Sequence, residues 1–113
     1  MADHMQATIS ELATASGLDM TQLDRTFLRP NPDVQGTTMD GETVLLDLST
    51  GRYYTLNRLG SVIWEHCTGH NTISDIHAVL CDRFDVASER ALDDLVALVN
   101  HLIQEGLLQQ ERR

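Results

Sequence analysis

The stretch GRYYTLNRLGSVIWEHC, residues 51–67, constrains the fold more than any other, because its hydrophobic period changes without an intervening loop. Tyr53, Tyr54, Thr55 and Leu56 read as a short strand rich in β-forming side chains. From Asn57 onward, Leu59, Val62, Ile63 and Trp64 recur at three and four, which is the spacing of a helix face. Asn57 alone separates the two, and asparagine is a favoured N-cap. A strand joined so tightly to a helix has its edge held at a fixed angle.

Upstream, residues 27–56 read as β structure. Pro30 and Pro32 forbid a helix and suit an edge or an irregular strand entry. Asp40-Gly41 is a two-residue hairpin signal, joining a strand over 34–39 to one over 42–48. In the second, Val44, Leu46 and Leu48 share one face and Thr43, Leu45 and Asp47 the other. Ser49-Thr50-Gly51 turns the chain again into a third strand over 52–56. Such a three-stranded antiparallel meander is too small to bury itself, so helices must cover one of its faces.

Downstream, three helices are expected. The first runs from the Asn57 cap to Cys67 or Thr68, where Gly69 and His70 break it. Thr72 and Asp75 have capping-box spacing and open the second, with Ile73, Ile76, Val79, Leu80 and Phe84 as its stripe. Ser88 caps the third, which Gly106 ends. Its apolar positions, Leu92, Leu95, Val96, Leu98, Val99, Leu102 and Ile103, span a wider arc than one core-facing stripe needs. The helix therefore touches two surfaces, and another protein is a candidate for the second. The fold class is α+β, with a meander followed by three helices.

At 113 residues and 42% hydrophobic, the chain suits one domain with a modest core. Residues 1–26 read as a flexible extension in preference to a short helix, which Thr8 and Glu11 could open and Gly17 end but to which Ile9, Leu12 and Ala13 would give only a thin apolar stripe; residues 109–113 read as a tail. Removing residues 1–24 is expected to leave the fold nearly intact. The formal charge of -9, with no lysine, opposes binding to a phosphate backbone, so nucleic acid is not an expected partner. No apolar run is long enough to cross a bilayer, and the N-terminus lacks the pattern of a signal peptide. Two cysteines are too few for a disulfide framework, so free thiols in the cytoplasm are the default.

Cys67, His70, His77 and Cys81 offer zinc-type ligands, and His77 and Cys81 would share a helix face. Without a CxxC pair the spacing fits a structural zinc site poorly, and Cys67 falls beside the Trp64 stripe as a small core residue. Neither a nucleophile elbow nor a paired-carboxylate arrangement stands out. No metal, cofactor or catalytic residue is expected.

The ordered series VLLDLSTGRYYTLNRLGSVIWEHC, then TISDIHAVLCDRFDV, then a helix ending EGLL resembles the PqqD-like family of peptide-recognition domains. Its specific carriers are the hydrophobic strand, Gly51, Tyr53-Tyr54, Leu56-Asn57, and Gly60 with Trp64. Within that family it is most similar to the stand-alone proteins of lasso-peptide biosynthesis, over residues 27–108. The resemblance implies a winged-helix-like, non-catalytic domain. It would bind the leader of a ribosomally made precursor and deliver it to a leader peptidase and a cyclase. The leader would add a strand beside the third strand and rest on the third helix.

The residues support such a site. YYTL carries neither charge nor proline, so its edge either lies under a helix or accepts a guest strand. Candidate contacts are Arg52, Tyr53, Tyr54, Thr55 and Leu56 on the strand, and Asp94, Leu95, Leu98, Val99 and Leu102 on the helix. Asp93 and Asp94 would meet a basic leader or merely favour the helix dipole, Arg52 would pair with a leader carboxylate or be a solvated turn residue, and His101 is a polar-face residue. The alternatives are a PqqD-type chaperone of a different peptide pathway, a winged-helix transcription regulator, and a homodimer using the same edge. The regulator needs a basic recognition helix, whereas residues 88–105 hold Arg90 against Glu89, Asp93, Asp94 and Glu105. A monomer or weak homodimer is expected.

Overall fold

The computed structural model describes residues 18–113. Both readings of the Thr8–Gly17 stretch, extension or short helix, lie outside the described residues. In chain order the elements are β1 (Thr26–Pro30), β2 (Val34–Met39), β3 (Glu42–Asp47), β4 (Tyr53–Leu56), α1 (Arg58–Glu65), α2 (Ile73–Arg83), α3 (Ser88–Gln104) and β5 (Leu108–Arg112).

The expected meander is present as an antiparallel sheet in the order β2-β3-β4. Asp40 (φ 54°) and Gly41 (φ 80°) make its first turn, both in the left-handed region that a tight two-residue hairpin requires. β3 stops at Asp47, whose carboxylate accepts hydrogen bonds from the Ser49 N–H (2.9 Å) and hydroxyl (2.7 Å) and so bends the chain into the next turn. Those bonds, the Ser49 hydroxyl foremost, hold the Asp47 carboxyl below its usual range against the opposing effect of burial.

β5 lies outside the sequence expectation, and β1, which falls at the irregular strand entry read around Pro30, pairs with it rather than with the meander. β1 and β5 pair antiparallel as a second sheet, with Thr26 opposite Arg112 and Pro30 opposite Leu108. Residues 109–112, expected as a tail, are thus a paired strand. The preceding segment is docked as well: Leu18 is buried in the core, Leu23 packs against it, and the Ser74 N–H donates to the Leu23 carbonyl (3.2 Å). Arg25 Nε donates to the Arg113 carbonyl (2.7 Å), joining the two ends. Because of this second sheet, winged-helix-like describes the α+β fold only loosely.

The helices start largely as expected. Asn57 Oδ1 accepts from the Gly60 N–H (2.9 Å), and Thr72 and Asp75 form a reciprocal capping box. Ser88 is a correction: Ala87 occupies the N-cap position without a side-chain bond, and Ser88 is the first helical residue. The Ser88 carbonyl accepts instead from His77 Nε2 (2.8 Å). α3 is central, with residues 95–100 all buried. Its wide apolar arc is covered by α1, α2 and β5 of the same chain, so the width does not itself call for a partner protein.

The sheet turns Thr43, Leu45, Asp47, Tyr54 and Leu56 toward the helices. Gly36 lies directly beneath Trp64, where an added Cβ would stand 2.6 Å from the indole Nε1. Gly36→Ala is therefore expected to destabilise the domain by about 1–3 kcal/mol through overpacking. Thermal melting followed by Trp64 fluorescence checks this, with a lowered Tm and an altered emission maximum as the expected result.

Candidate functional site

β4 is a sheet edge, and the register determines which of its backbone groups are free. Leu46 faces Tyr53 and Val44 faces Thr55, while the Asp47 N–H donates to the Arg52 carbonyl (2.9 Å). Hydrogen-bonded pairs alternate along an antiparallel ladder. Tyr54 and Leu56 therefore bond to β3, and the N–H and C=O groups of Tyr53 and Thr55 point to the open edge. Their side chains are exposed on the outer sheet face, whereas those of Tyr54 and Leu56 enter the core.

Beside this edge lies a cleft of about 330 Å³ lined by Gly51, Arg52, Tyr53, Tyr54 and Glu105. Tyr54 crosses its floor, and its hydroxyl donates to Glu105 Oε1 (2.8 Å) at the C-terminal end of α3. Burial, followed by the Glu105 bond, raises the Tyr54 pKa, and Arg52 pulls the other way. Arg52 reaches the same carboxylate oxygen at 3.8 Å, a mostly exposed pairing of little weight for stability. Glu105 was missed by the sequence reading as a contact residue. It lies seven residues beyond Leu98, on the same helix face, and that spacing was the available signal.

The helix candidates divide. Leu95, Val99 and Leu102 are fully buried core residues and present no surface to a guest. Leu98 retains 8% exposure and packs against the place where Gly60 brings α1 close; an added Cβ there would stand 3.3 Å from Leu98 Cδ2 and 3.2 Å from Leu56 Cβ. Asp94 is half-buried and pairs with Arg90 (3.4 Å) one turn earlier. By helical spacing Asp94, Leu98, His101 and Glu105 lie along one face of α3, and Glu105 connects that face to β4. Leu98→Asp is expected to cost several kcal/mol of folding stability, roughly 3 or more, because an unpaired charge would enter the core. A denaturant titration checks it through a lowered midpoint.

The four candidate metal ligands do not form one cluster. Cys67 is buried, with its thiol donating to the Ile63 carbonyl (3.2 Å) and its pKa pushed up to about 12 by burial. His77 and Cys81 do share a face, with Sγ 3.6 Å from Nε2. Among the described residues, no three or more His, Cys, Asp or Glu side chains form a group able to hold a metal. None of the described helices is long and apolar enough to cross a membrane.

Comparison with known proteins gives the lineage. No curated protein matches the chain. A solved structure, TbiB1 in complex with the TbiA(beta) leader peptide, is similar at 28% identity and a TM-score of 0.67, over 72% of this chain and 94% of that one. Lasso peptide synthetase B1 complexed with the leader peptide is similar at 27% identity and a TM-score of 0.66, over 73% and 96%. The heterocyclase TruD shares the fold at 19% identity and a TM-score of 0.56, over 76% of this chain and 12% of that much longer one. The family model of coenzyme PQQ synthesis protein D matches residues 42–108, a span that holds the meander's second and third strands, all three helices and the open edge. That match covers more than half of the sequence, and the chain belongs to the PqqD family.

Proposed function

We propose that this protein binds the leader segment of a ribosomally made precursor peptide, of the lasso type, by adding it as a strand to the β4 edge. The observation that carries the reading is the row of Tyr53 and Thr55 backbone groups, unpaired among the described residues, beside the cleft that Glu105 lines. Strand addition derives its affinity from main-chain hydrogen bonds and its selectivity from alternate side-chain pockets. The two similar proteins solved with leader peptides support it. The protein is a binding partner and not an enzyme, acts in the cytoplasm where Cys67 and Cys81 remain reduced, and hands the precursor to a leader peptidase and a cyclase.

A preformed edge favours this role. β4 passes into the capped α1 through Asn57 alone, so the strand is ordered before the guest arrives. Only the guest then bears the ordering cost of binding. The regulator alternative has little support, since Arg90, the one basic residue among residues 88–105, is already paired with Asp94. Fluorescence anisotropy with labelled leader peptides of lasso-type precursors tests the reading. Saturable binding is expected, with no shift of duplex DNA at physiological salt. Absence of leader binding together with a micromolar, salt-dependent DNA shift would reverse the assignment.

A further inference from the structure

A polar residue stands in the apolar middle of α3. Asn100 is fully buried, and among the described residues neither its Nδ2 nor its Oδ1 meets a hydrogen-bond partner. By helical spacing its neighbours are Val96, Ala97 and Ile103, none of which carries a polar side-chain atom. A second buried amide oxygen is in the same condition, Gln110 Oε1 on β5. Gln110 stands opposite the fully buried Leu28, so its side chain enters the interior on the same side. β5 packs on α3, and the Leu107 N–H, just before the strand, donates to the Leu102 carbonyl (2.8 Å), close in sequence to Asn100. Buried polar groups in folded proteins are nearly always bonded, so two buried amides left over call for a partner.

We propose that an internal water bridges Asn100 to Gln110 and is a built part of the joint between α3 and the β1–β5 sheet. The balance of donors and acceptors identifies the ligand. Asn100 offers N–H donors and an acceptor oxygen, whereas Gln110 Oε1 only accepts. A cation would serve the oxygens and leave Asn100 Nδ2 unpaired, and an anion would do the reverse. Water donates to both oxygens and accepts from Nδ2, which makes about three bonds, the usual number for a buried water. The two side chains are not bonded to each other, so a bridge needs a third group. Ala97, beside Asn100, has the short side chain that leaves it room. The bridge also gives β5 a directional tie that apolar burial cannot supply, in a strand whose one buried residue is Leu108. This site is independent of the leader-binding reading.

A crystal structure of the full chain tests the placement. One density peak is expected within about 2.7–3.2 Å of both the Asn100 amide and Gln110 Oε1. In solution, NOE and ROE cross-peaks between water and the Asn100 side-chain amide protons are expected with opposite signs, the mark of a water that stays longer than the protein takes to tumble. Gln110→Leu removes one partner and leaves the Asn100 reporter in place, and loss of those cross-peaks is expected in the folded variant. A direct Asn100–Gln110 hydrogen bond, or no density at Asn100 together with no water cross-peak, overturns the proposal, and neither observation needs a variant to fold. So does a folded Gln110→Leu variant that keeps the Asn100–water cross-peaks at the parent's intensity, for the water would then not be a bridge.

Discussion

Thr55→Pro is expected to weaken leader binding at least tenfold, about 1.4 kcal/mol, with little change in circular dichroism or melting temperature. The asymmetry follows from the register. Thr55 faces Val44 in the non-hydrogen-bonded position, so its N–H is not used by β3. Proline is tolerated on an edge strand whose N–H faces solvent. The same change deletes one donor of the guest ladder and places a ring where the guest must approach. Anisotropy and a thermal melt on the same sample separate the two effects. Joint loss of binding and stability would mean that Thr55 is bonded to β3.

Deleting residues 1–24 is expected to cost about 3 kcal/mol and to lower the Tm by roughly 10 °C. Leu18 is buried and Leu23 half-buried against the core, and a fully buried leucine contributes about 1.5–3 kcal/mol. The deletion also removes the Leu23 carbonyl that accepts from the Ser74 N–H at the start of α2. This reverses the expectation drawn from the sequence, that the segment has too little apolar surface to dock. A melt of the truncated protein decides between them, and an unchanged Tm would return the segment to the status of an extension.

What was legible in the sequence was local. Asp40-Gly41 dictates its turn through two left-handed residues, Asn57 and Thr72 cap their helices through one side-chain oxygen each, and Gly106 ends α3 at φ 77°. Each signal acts within four residues, so composition and spacing reveal it. β5 carried no such signal, because LQQER has one buried apolar residue and its pairing with β1 closes a loop of some eighty residues. Leu18 was hidden for a similar reason: a single apolar residue has no period.

The site was read in the same proportion. The strand over Tyr53–Leu56 followed from uncharged β-formers, and among the described residues no strand pairs with its outer side. Leu95, Val99 and Leu102 count as candidate leader contacts in the sequence because the apolar arc of α3 is wider than one core-facing stripe needs, and they lie in the core because α1, α2 and β5 surround that helix. Glu105 escaped notice because its role arises from a hydrogen bond to Tyr54 across fifty-one residues of sequence. The inward turn of Asp47 and the outward turn of Leu46 reverse what hydrophobicity alone would favour. Strand alternation around the fully buried Leu45 sets both directions, and the Ser49 turn satisfies the inward Asp47 carboxylate.

Amide hydrogen exchange, with and without the leader peptide, tests the central claim most directly. In the free protein the Tyr53 and Thr55 amides point away from β3 and should exchange fast, while Tyr54 and Leu56 are already protected by the ladder. Leader binding at the β4 edge predicts new protection at Tyr53 and Thr55. The sheet has a second edge at β2, whose outward amides are those of Gly36 and Thr38. Protection appearing there, with Tyr53 and Thr55 still exchanging as in the free protein, would contradict the account.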